Sequence, residues 1–356
     1  MTRKTSALID LTALRHNLSV ARNYAPKCRT LAVIKANGYG HGIEQIAQAL
    51  IDTDAYAVAT MSEAIRLRHA GITKPVVLLQ GVNNKGELKQ VNEFQLDMVV
   101  HHRHQIDLLK SSPPLNTTIW LKINTGMNRL GISPSLVEEC IEVLSELNPT
   151  DIILMTHFAN ADDRDDTFTE KQIKLFNKIN PSQALKKSMA NSAGLLHWPM
   201  SHHDWIRPGI MLYGVTPFNS GTAAELGLKP VMTLVSELIA VNQCEQGERV
   251  GYGGLWQCPE VMPVGVVAIG YGDGYPRHIN ENTPVLINGV RCPIIGRVSM
   301  DMLCVDLRNV PQVQSGDEVL LWGKGLPVEE IASKAGTIAY ELLCQITNRV
   351  EFNYLD

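Results

Sequence analysis

Lys35 ends the apolar run Ala32, Val33, Ile34 and opens a glycine-rich stretch, so that residues 32–42 read AVIKANGYGHG. A lysine at the end of a buried run suits Schiff-base chemistry when burial and neighbouring charge lower its pKa. Taken alone it reads more readily as a solvated strand end. Other polar side chains stand at the ends of apolar runs: Lys122, Asn124, His157, Asn191, Ser192 and Tyr213, with Arg207 just before the last run. His157 on its own fits a core histidine satisfied by a carbonyl, and Arg207 fits a partner for a surface carboxylate. Together, a poised lysine and glycine-rich backbone able to cradle a phosphate suggest pyridoxal 5'-phosphate, a cofactor that uses both.

Other chemistries fit less well. GYGHG and GYGDG lack the following Gly-Lys-Ser/Thr of a P-loop, and Ser192 has no Gly-x-Ser-x-Gly setting. HHRH (101–104) is rich in metal-ligating side chains, but neighbours on a strand point to opposite faces and no partner sits at ligand spacing. HWPMSHHDW (197–205) reads the same way, so no metal site is expected.

The elements that must position these residues alternate regularly. Continuous apolar runs at 30–35, 55–60, 75–80, 96–101, 118–124, 152–157, 187–192 and 208–214 are separated by amphipathic stretches such as 42–51 and 134–147. Runs apolar on both faces, each followed by a helix, predict an eightfold β/α (TIM-type) barrel, whose chemistry sits at strand C-termini. An open doubly wound sheet is the alternative. From about residue 225 the helices thin out, and Asn288-Gly289 between two β-type runs marks a hairpin. The expected organisation is a barrel over 12–224 that binds the cofactor and a mainly antiparallel β domain over 225–356, with residues 1–11 adding a strand to it.

The 356 residues carry a net charge of −4, and 45% are hydrophobic. That balance gives no footprint for nucleic acid or an anionic membrane. No apolar run approaches a membrane span, and the start lacks a signal-peptide core, so a cytoplasmic protein is expected. The seven cysteines are scattered without a C-x-x-C pair, which suits free thiols in a reducing compartment.

Over nearly its whole length the chain resembles the alanine racemases, pyridoxal-phosphate enzymes of bacteria. The likeness rests on AVIKANGYGHG, LKINTGMNRLG (121–131), THFANADD (156–163), MANSAG (189–194), WIRPGIMLYG (205–214), VGYGG (250–254), GYGDGYPR (270–277), GRVSMDM (296–302) and AYEL (339–342), in family order. The resemblance implies interconversion of L-alanine and D-alanine by two bases, supplying D-alanine for peptidoglycan synthesis or degrading it. It also implies a homodimer whose active sites are shared between subunits. Lys35 looks like the lysine that forms the Schiff base, and Tyr271 like the second base, from the other subunit. Arg129 is similar to the arginine that contacts the cofactor and the substrate carboxylate, and Met300 matches a substrate-contacting position. Arg207 resembles the arginine at the pyridine nitrogen, with His157 linking it to Tyr271. Tyr39, Ser192, Gly209, Ile210 and Tyr340 match phosphate-binding positions. Lys122 matches a lysine carboxylated in some members, but Asn124 stands where Asp is common, which puts that modification in question. The competing readings are a decarboxylase of basic amino acids or a broader racemase on the same scaffold, and a non-catalytic pyridoxal-phosphate carrier.

Overall fold

The computed structural model describes residues 4–113, 116–179, 184–280 and 282–356. Eight short parallel strands close into a barrel: Arg29–Val33, Ala55–Val58, Val76–Leu78, Asp97–Val100, Thr118–Lys122, Asp151–Met155, Lys186–Ser188 and Trp205–Ile206. The last pairs with the first through Arg29–Trp205 and Thr30–Ile206, which completes the ring. AYAV and VVL are buried at every position, as strands covered on both faces must be. At the strand N-termini, carboxylates accept backbone N–H groups of neighbouring strands. Asp54 takes Thr30 at 2.8 Å, Asp97 takes Thr118 at 2.7 Å and Asp204 takes Lys187 at 2.8 Å. These bonds satisfy donors on the barrel face opposite the strand C-termini.

Seven strands overlap the runs expected from sequence; the eighth does not. Residues 208–214 were expected to form it, but Ile210–Tyr213 is a 3-10 turn and the strand is the preceding pair Trp205–Ile206. Pro208 has no N–H for a ladder. The apolar run is buried by packing rather than by pairing, a distinction that periodicity cannot make. Strand ends are also earlier than expected: Lys35, His157 and Ser192 each lie beyond the last paired residue, in the segments that follow the strands.

The chain divides into two compact units. One is Arg15–Leu212 with Thr216–Leu228; the other joins Lys229–Asp356 to Tyr213–Val215 and a segment ending at Leu14. The second unit is built on an eight-stranded sheet in the order Met262–Val267, Leu303–Asp306, Val290–Ile295, Pro284–Ile287, Glu318–Trp322, Met232–Cys244, Ser6–Asp10, Glu351–Leu355. Its pairings are antiparallel except the last, where Ser6–Asp10 runs parallel to the C-terminal strand. The hairpin at Asn288-Gly289 forms as expected, with both residues at positive φ. Among the described residues no helix is long and apolar enough to cross a membrane.

Candidate active site

Lys35 begins a tight turn rather than ending a strand. Ala36, Asn37, Gly38 and Tyr39 follow at φ 52, 54, 65 and 50°, a left-handed turn. Each non-glycine residue there costs about 1–2 kcal/mol, less for Asn. The surroundings impose the shape. Gly38, Gly40 and Gly42 donate to Ile34, Ala36 and Asn37 carbonyls, each at 2.9 Å. The Asn37 side-chain oxygen accepts from Ile43 N–H at 3.3 Å and Arg66 at 2.9 Å. Fully buried His41 bonds the Gly38 and Tyr39 carbonyls through Nδ1 at 3.1 and 2.8 Å. Carbonyls only accept, so Nδ1 carries the proton; burial pulls the His41 pKa down to about 4 and keeps the ring neutral.

Arg207, 3% exposed, follows the last barrel strand. Its guanidinium donates to Ser188 Oγ at 2.6 Å and to the Thr156 and Met189 carbonyls at 2.6 and 3.1 Å. The surface carboxylate considered from sequence is not its partner. Burial lowers its pKa to about 10, which leaves it charged at neutral pH. Nη2 also lies 3.4 Å from His157 Nδ1. Arginine only donates, so Nδ1 accepts and the His157 proton resides on Nε2. Burial first, then the charges of Arg207, Lys122, Arg129 and Lys35, hold His157 well below its ordinary range and therefore neutral.

Lys122, the last residue of its strand, is also buried. Burial and then Arg207, Arg129 and Lys35 lower its pKa to about 8. Beyond it, the Asn124 side-chain oxygen accepts from Gly126 and Asn128 N–H at 3.0 and 3.1 Å, while its amide donates to Asn128 at 2.9 Å. An amide does this turn-forming work as well as a carboxylate. The loop that carries exposed Arg129 then returns to the strand through Ile132 N–H to Lys122 O at 2.8 Å.

Ser192 opens the short helix Ser192–His197, capped by Asn191. Its Oγ accepts the N–H groups of Gly209 and Met211 at 2.9 and 3.4 Å. Ile210 is buried beside them. A Cβ on Gly209 would lie 2.6 Å from the Tyr39 hydroxyl, so glycine is what lets the phenol reach this backbone. Hydroxyls and amides therefore converge on one spot, while Lys35, Lys122, Arg129 and Arg207 form a cationic group whose charges, among the described residues, depress Lys122 and His157 together with burial. Such a site fits a ligand with a phosphate and a carboxylate.

Tyr271, Met300 and Tyr340 belong to the second unit. Tyr271 and Met300 are 39% and 52% exposed, on adjoining loops held by Tyr271 N–H to Ser299 O at 3.0 Å and Gly272 N–H to Met300 O at 2.8 Å. Tyr340 lies half-buried on the helix Ala339–Gln345. Sequence reasoning missed Ser188 and His41, which orient Arg207 and the Lys35 turn. Only His41 had a signal, its place inside GYGHG. The histidine-rich stretches are structural: His102 caps the helix Arg103–Ser111, and His202 bonds the Leu195 carbonyl at 2.9 Å.

Two family models cover the chain: the alanine racemase N-terminal domain matches residues 9–217 and the C-terminal domain residues 231–354. The chain belongs to the alanine racemase family. An alanine racemase from Coxiella burnetii is 49% identical, over 98% of each chain. The crystal structure of the biosynthetic alanine racemase from Pseudomonas aeruginosa superimposes with a TM-score of 0.96 at 41% identity, covering 99% of this chain and 100% of that one. The alanine racemase from Bartonella henselae, described with covalently bound pyridoxal phosphate, matches with a TM-score of 0.90 at 27% identity over 99% of each chain. Membership makes this chain a pyridoxal-phosphate-dependent enzyme that racemises alanine.

Proposed function

We propose that Lys35 and Tyr271 are the two bases of this racemase, one on each face of the substrate α-carbon. Inversion requires a proton to leave one face and another to arrive on the opposite face. Pyridoxal phosphate, when bound, supplies the electron-withdrawing ring that makes the α-proton acidic. Lys35 holds the cofactor covalently at rest and serves one face. Tyr39, Ser192, the backbone at Gly209 and Ile210, and Tyr340 would hold the phosphate. Arg207 is the residue that would bond the ring nitrogen and, having no proton to spare, would leave it unprotonated. Arg129 pairs with the substrate carboxylate and the Met300 backbone borders it.

The observation that carries this reading is the Arg207–His157 contact, which leaves the His157 proton on Nε2. From there it donates to the phenol of Tyr271. We assign that tyrosine to the other copy of a homodimer, so that Tyr271 of the partner subunit completes each site. Lys122, with a pKa of about 8, keeps a free-amine fraction at neutral pH. That fraction can bond carbon dioxide and release a proton, which would set a carboxylate beside Arg129.

The enzyme works in the cytoplasm on this reading, and its likeness to the biosynthetic alanine racemase of Pseudomonas aeruginosa favours supply of D-alanine for peptidoglycan over degradation. Chiral analysis after incubation with a panel of L-amino acids tests the substrate. D-Alanine should form fastest and should vanish in Lys35→Ala; comparable turnover in that variant would sink the assignment. A deletion strain should need D-alanine for growth if the role is supply.

A further inference from the structure

We infer that Arg349 is a positioning residue for Tyr271, an inference that rests on Tyr271 being the second base. Arg349 stands just before the C-terminal strand. Its Nε lies 3.2 Å from Asp273 and its Nη2 2.6 Å from Asp301. Asp273 closes the turn Tyr271–Asp273, and Asp301 follows Met300 on the adjoining loop. One guanidinium thus bridges the two loops that carry the proposed base and the proposed substrate contact.

The bridge is built in rather than a passing surface pair. Asp273 is fully buried, and its second carboxylate oxygen accepts Gly270 N–H at 2.9 Å. A Cβ on Gly272 would lie 2.3 Å from Arg349 Nη1, so glycine lets the guanidinium lie against the turn backbone. The segment just before Arg349 clamps the same turn: Thr347 Oγ1 donates to Gly272 O at 3.0 Å, and Thr347 N–H to Asp273 O at 3.1 Å. Both carboxylates in turn hold Arg349 above its usual pKa. Without Arg349, the buried Asp273 loses an ion pair and the two loops lose the cation that joins them, and breaking a buried ion pair is costly enough to move a loop. Tyr271 is two residues away.

The test compares initial loss of α-deuterium from L-alanine and D-alanine in cofactor-loaded wild type, Tyr271→Phe, Arg349→Gln and Arg349→Lys. Arg349→Gln should slow the loss from L-alanine, the enantiomer whose α-proton we assign to Tyr271, by about ten- to a hundredfold, the scale of a displaced base, and the loss from D-alanine, assigned to Lys35, much less. Arg349→Lys should recover part of it. Equal slowing from both enantiomers, or none, in folded Arg349→Gln would overturn the inference. Should Arg349→Gln not fold, Asp301→Asn cuts the exposed end of the bridge and should show the same one-sided loss; symmetric rates there overturn it. If Tyr271→Phe itself shows no facial bias, the assignment of Tyr271 fails and takes this inference with it. A bias in Tyr271→Phe without one in Arg349→Gln fails the inference alone.

Discussion

Arg207 keeps its charge in a dry site because three oxygens that cannot be protonated away receive its hydrogens. That arrangement leaves it nothing to accept and no proton to lend, the property its proposed place at the ring nitrogen requires. Arg207→Glu puts a proton-holding group there. We expect racemisation to fall by about a hundredfold or more, while the ratio of pyruvate to D-alanine rises. The ratio is the readout, because a carboxyl facing two carbonyls also costs stability; an unchanged ratio counts against the role. Lys122 yields a second prediction. Native mass spectra in bicarbonate should show the gain of one carbon dioxide, lost in Lys122→Arg; no such species at saturating bicarbonate refutes carboxylation. Lys35, Arg207 and His157 each read as ordinary side chains alone, and only their places at the ends of the apolar runs and within motifs in family order marked them as candidates. Ser188 and His41 were not legible in the sequence, since a serine that orients an arginine looks like any other serine.

At the scale of elements, the alternation of apolar runs and amphipathic stretches gave the barrel because its strands are buried on both faces. It misplaced the eighth strand because a two-residue strand has no period to read, while the buried turn after it does look like a strand. The left-handed turn after Ile34 was equally hidden: glycine stands at Gly38, yet Ala36 and Tyr39 share its conformation. What forces them there is tertiary, through Asn37, Arg66 and His41. The cradle between Tyr39 and Gly209 makes this element testable. Gly209→Ala should weaken cofactor binding by about tenfold or more while leaving apoenzyme melting nearly unchanged, because the clash meets the end of a side chain. Adding Tyr39→Phe removes that hydroxyl, so the double variant should bind the cofactor no worse than Tyr39→Phe alone. Additive losses, followed by cofactor absorbance on titration, would show that the two groups do not meet.

For the whole molecule, stability and assembly are separate questions. Burial pushes the Asp97 carboxyl up to about 6, although Thr118 and Arg68 oppose the shift. The folded state therefore holds a proton that the unfolded chain has released between pH 4 and 6, and stability falls as pH rises through that window. The loss is on the order of 1–3 kcal/mol. Asp97→Asn, which can still accept from Thr118, should raise the melting temperature at pH 8 and not at pH 4; equal shifts at both would contradict this. Assembly bears on the central claim, that the two bases come from two copies of the chain. The most direct measurement mixes Lys35→Ala and Tyr271→Phe proteins under conditions where subunits exchange, then follows D-alanine formation. Random pairing makes half of the dimers mixed, each with one intact site, so activity should return to about a quarter of the wild-type level. A mixture that exchanges subunits yet stays as inactive as its parents would contradict a site shared between them.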